Sequence, residues 1–363
     1  MADRQADLHR AAALLAPWFR ENARELPWRK DRDPYRVWIS EIMLQQTRVE
    51  AVTGYYTRFL EALPTVRDLA AVGDDKLNKL WQGLGYYSRA RNLKKAAQAV
   101  MERHGGIIPR KFDELLALPG VGRYTAGAIA SIAYGEHIPA VDGNVLRVVS
   151  RLTASREDVL REKTKRAVED ALAAAIPEEA GLFNQAMMEL GALVCLPRSA
   201  RCGECPLGSL CRARAEGIEN ELPVKAPKKE RRVEERTVLL LERRGRFAVA
   251  KRPNRGLLAG LWEFPNLPGA KTRADVLAVC RAAGLPVKSA RRMKAARHIF
   301  THIEWRLTGW HIRLKDDDET IVKEPPARYG VSSLPPLTWA ARQELSDTYG
   351  IPAAFHAYLP KNS

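Results

Sequence analysis

The hydrophobic period of this chain changes partway along it, and that change limits the possible folds more than any other feature of the sequence. From residue 8 to about residue 212 apolar side chains recur at helical spacing, in successive amphipathic segments stopped at Pro27, Pro64, Pro109, Pro119, Pro139 and Pro177. Residues 216–236 are polar and carry two prolines, Pro223 and Pro227, which is the composition of an interdomain linker. Beyond them, residues 237–242 and 246–251 are short β-prone runs separated by Arg243-Arg244-Gly245, the pattern of a hairpin. A helix is predicted over residues 273–283, and a β-rich stretch over residues 297–314. A helical domain followed by an α+β domain is therefore expected, and 363 residues suffice for each to bury its own core.

The chain has 59 Lys and Arg against 43 Asp and Glu, a formal charge of +16. Such a balance fits a polyanionic partner such as nucleic acid, although a merely solvated basic surface reads the same way. The first 25 residues mix Asp3, Arg4, Asp7 and Glu21 with only a short apolar stretch, so neither a signal peptide nor a membrane span is expected. An intracellular, reducing setting makes cysteines candidate metal ligands rather than disulfide partners.

Four of the five cysteines, Cys195, Cys202, Cys205 and Cys211, follow the spacing C-x6-C-x2-C-x5-C. Thiolates so close in sequence can close around one soft centre, either a tetrahedral zinc or an iron-sulfur cluster. Arg198, Arg201, Arg212 and Arg214 surround them and could face phosphates, whereas the distant Cys280 reads as a small core residue.

Within residues 115–134, Pro119 stops one helix and Gly120-Val121-Gly122 turn the chain into another. Without side chains at the two glycines, backbone N–H groups of the second helix can point at a DNA phosphate. A glycine-rich connection between helices has the same composition. Asp142 follows in Pro139-Ala140-Val141-Asp142-Gly143-Asn144, at the expected start of a third helix. It can be an N-cap, a reactive carboxylate, or both, since helix N-terminal donors keep a carboxylate ionised.

The hairpin, the aspartate and the cysteine loop together resemble the helix-hairpin-helix-GPD superfamily of base-excision glycosylases. Residues 38–47, from Trp38 through Glu41, Met43 and Gln46 to Thr47, resemble its MutY family closely. Helical spacing sets Glu41 on the side of Val37 and Leu44, facing apolar surroundings; burial would raise its pKa and keep it protonated near neutrality. The resemblance implies that Glu41 protonates adenine at N7, while ionised Asp142 stabilises the oxocarbenium-like sugar or traps it covalently. Tyr124 and Asn144 would assist the acid and orient the aspartate. Bifunctional relatives place a lysine where this chain has Tyr124, so a monofunctional glycosylase is expected. The same resemblance assigns Trp28, Arg29, Leu44 and Gln185 to the adenine pocket. It assigns Gln46, Thr47, Leu84 and Tyr86, with Gly120 and Gly122, to DNA contact and duplex opening.

In the second domain, residues 256–265 resemble the Nudix-like C-terminal domain of MutY proteins. A catalytic Nudix box needs a cluster of carboxylates for magnesium, whereas residues 273–284 hold only Asp275, so pyrophosphate hydrolysis is not expected. Phe300-Thr301-His302 resembles the family's 8-oxoguanine-reading loop, with threonine in place of serine; read locally, Phe300 and His302 are alternate residues of a half-buried strand.

Taken whole, the resemblance implies an all-α helix-hairpin-helix glycosylase domain with a [4Fe-4S] loop over residues 1–215, a linker over 216–235 and an α+β Nudix-like domain over 236–363. The implied activity is removal of adenine mispaired with 8-oxoguanine or guanine in duplex DNA, by base flipping, in base excision repair. The implied setting is a monomer associated with DNA in the bacterial cytoplasm, away from membranes. Three other readings compete: a bifunctional endonuclease III-like enzyme, a non-catalytic iron-sulfur lesion-binding protein, and nucleotide-pyrophosphate hydrolysis by the C-terminal domain.

Overall fold

A computed structural model describes residues 2–227, 230–316 and 334–360. Lys228 and Lys229 of the expected linker, and residues 317–333 and 361–363 of the expected second domain, lie outside the described residues. The chain divides into two compact units, one formed by Met1–Val72 and Arg91–Pro227, the other by Gly73–Ala90 and Lys228–Ser363.

The helices of the first two hundred residues are, in chain order, α1 (Ala2–Asn22), α2 (Pro34–Leu44), α3 (Val49–Ala62), α4 (Val66–Ala71), α5 (Asp74–Leu80), α6 (Ser88–His104), α7 (Phe112–Leu116), α8 (Arg123–Tyr134), α9 (Gly143–Leu152), α10 (Glu162–Ala173) and α11 (Ala180–Leu193), followed by α12 (Arg212–Glu216). Their boundaries follow local chemistry. Asp33 accepts from the Arg36 N–H and Pro34 opens the first turn of α2, while Thr65 and Asp68 form a reciprocal capping box on α4. Every expected proline stop falls at or beyond a helix end, Pro27 opening a 3-10 turn over Pro27–Arg29.

Two helices run through the interior of the first unit: α8 is buried at every residue from 125 to 132, and α2 at Tyr35 and from Val37 to Met43, with Arg36 exposed. Around them α1, α9 and α11 share a core of Leu15, Phe19, Val145, Val149, Phe183 and Leu190, against which Cys195, Cys205 and Cys211 also pack. The expected linker is tied down over its first half. Leu222 is buried, its carbonyl accepts from Arg151 Nε at 3.1 Å, and Val224 O accepts from the Val159 N–H.

In the second unit the described strands are β1 (Arg232–Arg243), β2 (Arg246–Lys251), β3 (Trp262–Glu263), β4 (Asn266–Pro268), β5 (Val287–Ile299), β6 (Ile303–Leu314) and β7 (Thr338–Ala341), with helices α13 (Arg273–Ala282) and α14 (Arg342–Asp347) and a final 3-10 turn, Ala353–Tyr358. Strand order is β3-β2-β1-β6-β5, with β4 on β1 and β7 on β2. Positive φ at Arg244 and Gly245 makes the expected β1–β2 turn. Strands β1 and β6 pair in parallel, whereas the remaining pairs are antiparallel.

Both faces of the sheet are covered, because alternate residues of β1 enter different cores. Val238 and Leu240 join Phe264, Phe355 and Tyr358; Leu239 and Leu241 join Val276 and the fully buried Cys280 of α13. The expected β stretch 297–314 is in fact β5, a tight turn and β6, so Phe300-Thr301-His302 is the turn itself and not part of a strand. No helix of the described residues is long and apolar enough to cross a membrane.

Candidate active site

An open cleft of about 1040 Å³ in the first unit is walled by α2, α8, the start of α9 and α11. Glu41 reaches it from α2 with only 6 % of its surface exposed. The residues around it on α2, from Val37 to Met43, are all buried, so the burial expected from Val37 and Leu44 is present, although Leu44 itself is half-buried. Desolvation pushes the Glu41 carboxyl up from 4.5 to about 7, and the charge of Asp142 adds to it, against a hydrogen bond from Tyr124 and the charge of Arg29. The Tyr124 hydroxyl donates to Glu41 Oε2 and lies 3.3 Å from Met188 Sδ.

Asp142 is both an N-cap and a wall of the same cleft. Its Oδ1 accepts from the Val145 N–H at 2.7 Å and its Oδ2 from Asn144 Nδ2 at 2.9 Å. Burial raises its pKa from the ordinary value, opposed by these donors and by the charge of Arg147. Asn144 is itself held, since its Oδ1 accepts from Arg147 Nη2 at 2.8 Å. Arg147 also donates to the carbonyls of Gly191 and Cys195, both at 2.8 Å. Gly191 is required here: a Cβ on it would stand 2.6 Å from Asn144 Cβ and push the start of α9 away.

The side of the cleft expected to hold a base is lined by Trp28, Arg29, Leu44 and Gln185. Sequence reasoning missed the group that organises it. Glu189, 1 % exposed, accepts from Arg29 Nη1 and Nη2 at 3.0 Å each and from Arg24 through its backbone N–H, Nε and Nη2. Burial would raise the Glu189 pKa, but the two guanidinium groups overcome it and hold the carboxyl down at about 2. Its one sequence signal is its position, a helical turn beyond Gln185. Because its pKa is depressed, the stability Glu189 contributes is present above pH 4.5 and lost as pH falls toward about 2. Glu189→Ala strands two cations and is expected to cost about 3–5 kcal/mol by urea unfolding at neutral pH. An unchanged midpoint would mean that the cluster carries no weight.

Gln46, Thr47, Gly120 and Gly122 line the cleft as well. Gly120 has φ +76, and a Cβ there would meet Asn92 at 2.5 Å. Gly122 caps α8 without a side-chain acceptor, which leaves first-turn N–H groups able to take a phosphate. Gln46 is a non-glycine residue held at φ 59 beside the cleft. Leu84 and Tyr86 lie in the second unit: Leu84 is buried, whereas Tyr86 is 44 % exposed, so of the two only Tyr86 presents a side chain outward.

The four clustered cysteines line one small cavity together with Arg151 and Arg214. Arg151 Nη1 stands 3.2 Å from Cys195 Sγ. Burial pushes the Cys205 thiol up to about 11, and raises Cys202 and Cys211 too. Among the described residues no three His, Cys, Asp or Glu side chains converge closely enough for a single metal ion. Four thiols on one cavity are a donor set that a single soft centre, a tetrahedral zinc or an iron-sulfur cubane, could take. Of the arginines expected to face phosphates, Arg212 is instead paired with Asp7 at 2.9 Å, while Arg198 and Arg201 are exposed.

In the second unit, the β5–β6 turn is closed by Phe300 N–H donating to Ile303 O at 2.8 Å. Phe300 packs edge-on against Trp305 and His298, which anchors the turn, and Thr301 and His302 are exposed at its tip. Thr301 Oγ1 and the Tyr86 hydroxyl share a 2.5 Å hydrogen bond. Asp275, the lone carboxylate of residues 273–284, is the capping-box partner of Thr272.

Two family models match the chain: the HhH-GPD superfamily base excision DNA repair protein over residues 39–177, and the NUDIX domain over residues 236–361. The adenine DNA glycosylase of Rattus norvegicus is 34% identical across 97% of this chain and 78% of its own length. That of Homo sapiens is 37% identical across 87% and 69%, and that of Buchnera aphidicola from Acyrthosiphon pisum 32% across 83% and 86%. Among solved structures, a thermostable thymine-DNA glycosylase matches with a TM-score of 0.54 at 27% identity, covering 58% of this chain and 98% of that one. Endonuclease III in a non-covalent complex with DNA matches at 0.51 and 30% identity, covering 59% and 98%. With relatives alike over most of both lengths and both domain models matched, the chain belongs to the adenine DNA glycosylase family, DNA N-glycosylases of base excision repair that join a helix-hairpin-helix domain to a Nudix-like one.

Proposed function

We propose that this glycosylase removes adenine lying opposite 8-oxoguanine or guanine, after drawing the adenine nucleotide out of the duplex into the cleft between Glu41 and Asp142. The observation that carries the proposal is the pairing of unlike carboxyls in one cleft: Glu41 enclosed, with a carboxyl pushed up to about 7, and Asp142 held by helix N-terminal donors. Protonated Glu41 gives its proton to adenine N7. The C1′–N9 bond then breaks, its electron pair leaves with the base, and the positive charge that develops on the sugar faces the Asp142 carboxylate. Water adds at C1′, and the proton it loses restores Glu41. Tyr124 keeps the Glu41 carboxyl aimed into the cleft, and Asn144, braced by Arg147, does the same for Asp142.

Recognition of the opposite base is assigned to the exposed tip of the β5–β6 turn, where the Thr301 hydroxyl can donate or accept and Phe300 supplies the rigid base of the turn. Cys195, Cys202, Cys205 and Cys211 are assigned as the ligands of a [4Fe-4S] cluster. Its chemistry here is cross-linking: four iron–thiolate bonds would tie the end of α11 to the start of α12 and so brace the core beneath Asp142.

The test is a duplex holding one adenine opposite 8-oxoguanine, incubated with the enzyme and then treated with alkali to cut at abasic sites. Adenine release is expected, with far less from an adenine opposite thymine; equal release from both would remove the mispair from the proposal. Without alkali, strand cutting is expected to stay near background, because Tyr124 offers no amine for a Schiff base. Cutting as fast as base release would make the enzyme bifunctional.

A further inference from the structure

Adjoining the active-site cleft, the first unit holds a second open cavity of about 920 Å³. Arg24, Leu26, Trp28, Arg29, Ile132 and Gln185 border both voids, so the partition at these positions is a single residue thick. Four of the six are firmly held. Arg24 and Arg29 clamp Glu189, Trp28 is buried edge-on against Tyr56, and Ile132 lies within buried α8. The other two are softer: Gln185 Nε2 donates at 3.3 Å to Gly181 O of its own helix, and Leu26 is half-buried.

We propose that the freed adenine leaves through this second cavity, past Gln185 and Leu26, while DNA still covers the first. The inference rests on the extrusion of the nucleotide proposed above. A nucleotide that enters the cleft from the DNA side leaves its own sugar in the mouth once the base is cut away. The base then lies beneath the sugar and cannot retrace its path until the DNA dissociates. Protonation at N7 before cleavage makes the departing base neutral, so neither the arginines nor Glu178 and Glu179 around the second cavity would hold it by charge. A separate exit uncouples base release from DNA release, which limits turnover in many enzymes.

Leu182 on α11 and Thr53 on α3 line only the second cavity, and a tryptophan at either position narrows it. Abasic sites and adenine passing a filter are followed together in single-turnover reactions with wild type, Leu182→Trp and Thr53→Trp. Cleavage is expected to stay within about twofold of wild type, while filterable adenine in each variant lags cleavage by roughly tenfold or more and tracks DNA dissociation. In wild type it keeps pace with cleavage. Adenine that keeps pace in both variants, or that waits for DNA dissociation in wild type, overturns the proposal. An absence of cleavage by wild type would instead count against the extrusion reading. Should the substitutions unfold the protein, wild type alone decides: free 2-aminopurine, a fluorescent isomer of adenine, is added to enzyme already bound to an abasic-site duplex. Quenching while the DNA remains bound is expected; quenching only after the DNA leaves rejects the second exit.

Discussion

Asp142→Asn is expected to slow adenine release by about a thousandfold or more, without unfolding the protein. The substitution separates the N-cap that Asp142 forms from the catalytic role proposed for it. As an N-cap, asparagine serves about as well as aspartate, so the bond from the Val145 N–H survives, while its amide group meets Asn144 Nδ2 donor to donor and the loss of that bond should cost about 1 kcal/mol. As the charge facing a cationic sugar, asparagine has nothing to offer. Burial even works against the native carboxylate, raising its pKa from the ordinary value, so the variant gives up no favourable charge in the resting enzyme. Single-turnover rates on an adenine opposite 8-oxoguanine, set beside urea midpoints, make the comparison. A rate within tenfold of wild type would take the carboxylate out of the chemistry.

Glu41→Gln is expected to lower the rate by roughly 10²- to 10⁴-fold, the range for loss of a positioned general acid, and at the same time to make the protein more stable at pH 8. Glutamine fills the same space and can still accept from Tyr124, but it has no proton to give. The stability effect follows from linkage. The folded-state pKa of about 7 lies above the ordinary 4.5, so the folded protein holds the proton more tightly than the unfolded chain. Wild-type stability therefore falls as pH rises from 4.5 through about 7, and glutamine escapes that loss. The advantage of the variant should grow across that window to the order of 3 kcal/mol. A difference that does not change with pH would contradict the buried acid. In wild type the same group is expected to set the basic limb of the activity profile, with a decline as pH rises through about 7 because protonated Glu41 is consumed. The acidic limb belongs to Asp142, whose ionisation is lost as pH falls toward a value that burial holds above its ordinary one.

Features that rest on neighbours in the chain were legible in advance. Helix α9 begins where Asp142 can cap it, the β1–β2 turn sits where Arg244 and Gly245 accept positive φ, and α13 starts at Arg273 as expected. Motif resemblance added the residues of the cleft, because the segments carrying Glu41, Tyr124 and Asp142 are each short and self-contained. Glu189 escaped notice for the opposite reason. Its partners Arg24 and Arg29 lie more than a hundred residues away, and only the packing of α11 against the N-terminal segment brings the charges together. The parallel pairing of β1 with β6 has the same character, since nothing in either strand names a partner sixty or more residues distant. The grouping of residues 73–90 with the second unit is likewise invisible to hydrophobic period, which records burial but not what does the burying.

By itself the sequence determined the helical first half, the β1–β2 hairpin, helix α13 and the types of reactive group available, because caps, turns and periodicity act over a few residues; the turn at residues 300–302 inside the β stretch went unread. A raised Glu41 pKa was expected from its apolar neighbours, but the tertiary structure alone supplied its contrast, Glu189 as an anion locked between two arginines. Both are glutamates on buried helices, and they titrate at opposite ends of the carboxylate range because one is desolvated with a phenol for company and the other with two guanidinium groups.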